Sequence, residues 1–172
     1  MDLAEIIRKV PDFPKPGILF YDISTILGNG PAWRHTVDRL AELVQDYRPT
    51  MIAAIESRGF IFAAPIAYKL GLGFVMIRKV GKLPGAVISH AYDLEYGSDT
   101  LQVADGLVPA GARVVLIDDL IATGGTAQAS VALLRKIGAE VAGAVFLIEL
   151  LGLKGRSRLG VDSRSLLAFE GG

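Results

Sequence analysis

Val114-Val115-Leu116-Ile117-Asp118-Asp119-Leu120-Ile121-Ala122-Thr123-Gly124-Gly125-Thr126 is the stretch on which the fold turns. Ala112 to Ile117 is a β-branched apolar run without alternation, the pattern of a parallel strand covered on both faces. Two acids stop that strand, and a glycine-rich loop then opens a helix that ends near Gly138. The same order occurs earlier in the chain. Met51 to Ile55 is a short apolar run, followed by Glu56-Ser57-Arg58-Gly59 and a helical stretch to Leu70, with Gly71 as its stop. Phe74 to Ile77 and Val141 to Ile148 supply further buried strands. Strand, loop, helix, strand repeated in this way predicts an α/β fold, an open mostly parallel sheet flanked by helices. Ligands are expected at the C-terminal edge of its strands.

The flanking segments read differently. Leu3, Ile6, Ile7 and Val10 recur at helical spacing, which predicts a short helix over residues 1 to 10 ended by Pro11. Pro11 to Gly17 holds too much proline for a regular element. Gly28-Asn29-Gly30-Pro31 is a turn that opens a second helix, whose apolar stripe is Trp33, Val37, Leu40, Leu43, Val44 and Tyr47. The span 78 to 100 is polar, glycine-rich and long, and reads as a mobile flap. The tail from Gly160 carries no signal.

Composition bounds the rest. At 172 residues, with 51% of them hydrophobic, the chain is expected to form one domain with a substantial core. Eighteen basic residues balance eighteen acidic ones, so no global field invites nucleic acid or an anionic membrane. There is no cysteine, which removes disulfides and thiolate metal sites. His35 and His90 are too far apart in sequence to suggest a histidine metal site. Met1 to Glu5 begins an acidic amphipathic stretch unlike a signal peptide, and no apolar run approaches bilayer length, so a cytoplasmic setting is expected.

The loop from Ala122 to Thr126 has the chemistry of an anion cradle. Glycines let backbone N–H groups turn toward one point, the helix N-terminus adds partial positive charge, and Thr123 and Thr126 supply hydroxyl donors. GxxxxGK[ST] and GxGxxG are both absent, which excludes the nucleoside triphosphate and dinucleotide versions of such a loop. Two carboxylates beside a phosphate would repel it unless they face another part of the ligand. The vicinal hydroxyls of a ribose fit Asp118 and Asp119, and the loop and the acids together describe a ribose 5-phosphate.

At this point the stretch from Val114 to Thr126 resembles the fingerprint of the type I phosphoribosyltransferases. The resemblance implies that Ala122, Thr123, Gly124, Gly125 and Thr126 hold the 5-phosphate of phosphoribosyl diphosphate and that Asp118 and Asp119 hold its ribose hydroxyls. A diphosphate leaving group also calls for cations and usually Mg2+. Glu56-Ser57-Arg58-Gly59-Phe60 and Arg78-Lys79-Val80-Gly81-Lys82-Leu83-Pro84-Gly85 resemble adenine phosphoribosyltransferases closely. By that resemblance Arg58, Arg78, Lys79 and Lys82 contact pyrophosphate, with Arg78 able to cross a dimer interface. No dense carboxylate cluster marks a resident metal, so magnesium would arrive with the diphosphate.

The resemblance also bears on the base. Relatives that use 6-oxopurines commonly carry an aspartate at the loop position of Ala122, so its absence disfavours hypoxanthine and guanine. Tyr92-Asp93-Leu94-Glu95-Tyr96-Gly97 looks like a family stretch that makes Glu95 the catalytic carboxylate, with Tyr92 and Tyr96 on the closing flap. Phe13 to Ile23 resembles the hood over the base, in which Leu19 offers backbone groups; Phe20, and Leu150 from outside that segment, are apolar candidates to cover the ring. Tyr21 stands where the family usually has arginine, which removes a fixed charge. The implied reaction is purine salvage, adenine to AMP, by a homodimer of single-domain chains. Each chain has a hood over residues 1–30 and a flap over 78–100. The competing readings are a transferase for another base such as xanthine, or a regulator that binds phosphoribosyl diphosphate without turning it over. The second would need a nucleic-acid surface, and no helix-turn-helix, added domain or basic stripe outside the flap is visible.

Overall fold

A computed structural model describes residues 1–94 and 96–171. A short helix, α1 (Leu3–Ile6), leads into β1 (Arg8–Pro11), which pairs antiparallel with β2 (Leu19–Asp22). The helix expected over residues 1 to 10 therefore ends at Ile6. Residues 8–11 find a strand partner across the intervening turn, and pairing with β2 overrides their helical spacing. Two further helices follow, α2 (Ser24–Leu27) and α3 (Gly30–Asp46), the second capped by the Asn29 side chain, which accepts from Ala32 N–H at 3.1 Å.

The rest of the chain builds the sheet. Its elements are β3 (Met51–Ile55), α4 (Arg58–Leu70), β4 (Gly73–Lys79), β5 (Val87–Asp93), β6 (Ser98–Ala104), β7 (Arg113–Ile121), α5 (Gly125–Lys136), β8 (Glu140–Leu150) and β9 (Ser163–Phe169). The order in the seven-stranded sheet is β5-β6-β4-β3-β7-β8-β9. Pairs from β4 through β9 are parallel, and the β5–β6 hairpin adds antiparallel at the β4 edge. This is the mostly parallel open sheet that the strand-loop-helix repeats predict.

Three local outcomes go beyond what the sequence indicates. The strand carrying the two acids does not stop at them: it continues to Ile121, because Asp118, Leu120 and Ile121 stay in register with Phe146, Ile148 and Glu149 of β8. Much of the flap span is built as the β5–β6 hairpin. The tail past Gly160, silent in sequence, supplies the edge strand β9.

Alternate residues of the central strands divide between two cores. Ile52, Ala54, Val115 and Ile117 face α3 and α4, whereas Ala53, Ile55, Val114 and Leu116 face α5. Burial on both faces is why these strands read as unbroken apolar runs. Among the described residues no helix is long and apolar enough to cross a membrane.

Candidate active site

The loop from Ala122 to Thr126 joins β7 to α5. Gly124 caps the helix with φ of 83°, a left-handed conformation that glycine adopts without a Cβ clash. Among the described residues, no backbone or side-chain acceptor is engaged by the N–H groups of residues 123 to 127. Unclaimed donors at the start of a helix can receive an anion. They open on a cavity of about 260 Å³, lined also by Glu56, Lys79 and Asp118.

Asp118 and Asp119 are consecutive on a strand, so their side chains leave opposite faces. Asp118 lines the cavity at the loop, while Asp119 lines a second cavity under the hood. Burial, reinforced by the negative charge of Asp119, pushes the Asp118 carboxyl well above the ordinary carboxylate range. Asp119 is buried and accepts from Arg58 Nε at 2.6 Å. Gly59 makes this junction possible, because a Cβ there would sit 3.0 Å from the Ile117 carbonyl oxygen and 3.1 Å from Asp118 Oδ1.

The second cavity, about 540 Å³, is largely apolar in its walls and includes Val10, Phe13, Phe20, Leu27 and Ile61. Phe13 and Phe20 meet edge to face at 5.0 Å. The Arg58 guanidinium stands 6.0 Å from the Phe20 ring centroid, so Arg58 and Asp119 form the wall between the hood and the loop. Across the hood, Arg8 pairs with Asp22. Hydrogen bonds from Ser24 and then Arg8 hold the Asp22 carboxyl down at about 2.

An anion cradle, two acids and an apolar cavity on one sheet edge suit a phosphorylated sugar joined to a flat apolar group. Comparison with known proteins agrees. The family model for the phosphoribosyl transferase domain matches residues 24–164. The adenine phosphoribosyltransferase of Gluconacetobacter diazotrophicus is 58% identical over 99% of this chain and 97% of its own. The chain belongs to the adenine phosphoribosyltransferase family. Among solved family structures, that from Thermoanaerobacter pseudethanolicus superposes with a TM-score of 0.93 at 47% identity, covering 96% of this chain and 97% of that one. The Saccharomyces cerevisiae enzyme, solved with D-2,5-dideoxy-2,5-imino-altritol 1,6-bisphosphate and adenine, gives 0.90 at 39% identity and 96% coverage of both chains.

Placed on this member of the family, the remaining site residues fall into groups. Arg78 reaches Glu56 at 3.5 Å and lies 5.7 Å from the Phe60 ring centroid; its Nε is buried without an acceptor among the described residues. Lys79 pairs with Asp99, which raises the lysine and lowers the aspartate, while its N–H donates to Glu56. Lys82 is exposed beyond β4. The Tyr92 hydroxyl lies 3.4 Å from Thr126 Oγ1, so the hairpin touches the loop that opens α5. Tyr96 is exposed at the hairpin turn, and Glu95 lies outside the described residues.

At the hood, Leu19 is exposed and Phe20 lines the cavity. Tyr21 is buried, its ring stacked on Phe169 of β9 at 4.4 Å and 16°. Tyrosine here ties the hood to the edge strand. Leu150, at the end of β8, packs against the core cluster of α3 and α4. Sequence reasoning missed Glu56 and Asp99 as partners of the cations. It also missed Arg8 and Asp22, whose cross-strand pairing follows only from the β1–β2 register.

Proposed function

We propose that this chain joins adenine to 5-phosphoribosyl 1-diphosphate, giving AMP and pyrophosphate. The observation that carries the reading is the set of unclaimed N–H groups at the start of α5, in a loop that follows two strand residues, Leu120 and Ile121, after an acid pair that separates the loop from an apolar cavity. The 5-phosphate sits on Ala122 to Thr126, the ribose hydroxyls meet Asp118 and Asp119, and adenine enters the hood beside Phe20. N9 of adenine attacks C1′ of the ribose, the bond from C1′ to the diphosphate oxygen breaks, and the N9 proton leaves to a base. Glu95 is the carboxylate proposed for that proton, delivered when the flap closes and excludes water. Arg58, Arg78, Lys79 and Lys82 offset the charge that grows on the departing diphosphate.

Magnesium enters bound to that diphosphate. In this reading the protein contributes cations and Glu56 around the complex. A cytoplasmic homodimer is part of the same reading. Phe74 and Met76 are exposed on β4, and Ile61 and Tyr68 are exposed on α4. A second copy packed over these apolar side chains would bury them.

The test is to supply the purified protein with magnesium, phosphoribosyl diphosphate and one base at a time from adenine, hypoxanthine, guanine and xanthine, and to measure nucleotide and pyrophosphate. AMP from adenine alone is expected. Absence of AMP would overturn the reaction, and a nucleotide from a 6-oxopurine would overturn the base assignment.

A further inference from the structure

The phosphate loop is gripped from behind by a part of the chain to which no role in the reaction has been attached. After β8, a 3-10 turn at Leu151–Leu153 and a second at Gly155–Arg158 fold back under the loop. Three contacts converge on consecutive loop residues. A Cβ on Gly155 would collide with the Ala122 carbonyl oxygen and lie 2.9 Å from Gly124 N, so the two backbones touch with no room for a side chain. Arg158 Nη1 donates to the Thr123 carbonyl at 3.1 Å. Arg156 Nη2 donates to Glu149 Oε2 at 2.6 Å, and Glu149 is buried at the end of β8, so the turn is anchored to the sheet itself.

These contacts act on direction. A trans peptide is planar, with C=O and N–H pointing opposite ways. Holding the Thr123 carbonyl toward Arg158 therefore aims the Gly124 N–H away from Arg158. Blocking the Ala122 carbonyl against Gly155 does the same for the Thr123 N–H. Arg158 also lines a cavity of about 380 Å³ with Tyr92, Gly125 and Gln128, which places its charge near the start of α5. Donors fixed in advance lose little freedom when an anion binds.

We propose that Arg158, on the turn anchored by Arg156 and Glu149, is a positioning residue for the phosphate loop, setting its affinity for the 5-phosphate. The proposal rests on the reading of Ala122 to Thr126 as the 5-phosphate cradle. Arg158 is exposed, so its truncation is expected to leave the melting temperature in place. Calorimetry of the full chain with AMP, adenosine and inorganic pyrophosphate tests it. For Arg158→Ala, AMP binding is expected to weaken roughly tenfold, as for loss of a charge-assisted hydrogen bond. Adenosine, which lacks the phosphate, and pyrophosphate should bind as before. Arg158→Lys, which keeps one donor and the charge, should restore most of the AMP affinity. Thr126→Val serves as the reference for the cradle. If it weakens AMP while Arg158→Ala does not, the positioning role is wrong and the cradle stands. If Thr126→Val leaves AMP binding unchanged, the cradle reading fails and takes the proposal with it. Equal loss of AMP and adenosine on Arg158→Ala would also overturn the proposal, by showing general damage to the site.

Discussion

The two halves of the site differ in what their polar groups are doing. On the loop side, the N–H groups of residues 123 to 127 have no protein acceptor among the described residues, and the backbone behind them is braced by Gly155 and Arg158. On the diphosphate side, three of the proposed cations already hold an acid: Arg58 with Asp119, Arg78 with Glu56, Lys79 with Asp99. One half is ready for its anion, while the other must exchange internal partners for it. Binding energy from a prepared half is then available to drive rearrangement of the other.

The largest expected effect lies on the side that rearranges. If Glu95 takes the proton from adenine, Glu95→Gln should lower kcat about 10²–10⁴-fold with little change in the binding of AMP. Steady-state kinetics beside calorimetry checks this, and an unchanged kcat would remove the flap from the chemistry. The next effect lies on the braced side. Gly155→Ala places a methyl group against the Ala122 carbonyl and should destabilise the fold by about 1–3 kcal/mol, as overpacking does. Its AMP affinity should fall further than that of Arg158→Ala, because the loop itself is displaced. Denaturant unfolding and AMP titration measure the two parts separately, and an unshifted AMP affinity would show that the brace does not govern the loop.

The same division governs what could be read from the sequence. The loop of the braced half is local: Val114 to Thr126 contains strand, acids, glycines and helix start in one run, so it could be proposed from spacing, whereas its brace from Gly155 and Arg158 could not. The exchanging half is not local. Arg58 meets Asp119, Arg78 meets Glu56 and Lys79 meets Asp99 only because β3, β4, β6 and β7 are neighbours in the sheet. No periodicity encodes such pairings. β1 was misread as helix because Val10 continues the spacing of Leu3, Ile6 and Ile7, and only its pairing with Phe20 in β2 decides otherwise. β9 was invisible for a related reason. Ser163, Arg164 and Ser165 open it with polar residues, and its place comes from the register with β8.

A smaller effect would sharpen the idea of exchange. Asp119 now occupies Arg58 Nε. Asp119→Asn should weaken phosphoribosyl diphosphate, which loses a ribose acceptor, yet bind inorganic pyrophosphate a few-fold more tightly, since Arg58 is released. Opposite signs for the two ligands would be hard to obtain from simple misfolding. Weakening of both in parallel would mean that the Arg58–Asp119 pair is structural and is not exchanged.

The smallest effect concerns stability and the acid that faces the loop. Burial and the charge of Asp119 raise the Asp118 carboxyl in the folded state, so the native chain holds that proton more strongly than the unfolded chain. In linkage terms the folded state binds more protons, and this group's contribution to stability falls as pH rises from about 4 through the raised native value, then levels off. At neutral pH Asp118 is therefore a cost to the fold, kept for the hydroxyls it is proposed to meet. Asp118→Asn should recover part of that cost. The melting temperature at neutral pH should rise, by about 2–4 °C for each kcal/mol regained, while affinity for phosphoribosyl diphosphate falls. The gain should vanish at acid pH, where the native carboxyl is already protonated. Thermal melts across pH for both proteins decide it: a mutant less stable than the parent at neutral pH would show that Asp118 holds the strand together through its bond to Asp119 N–H at 2.8 Å, rather than straining it by its charge.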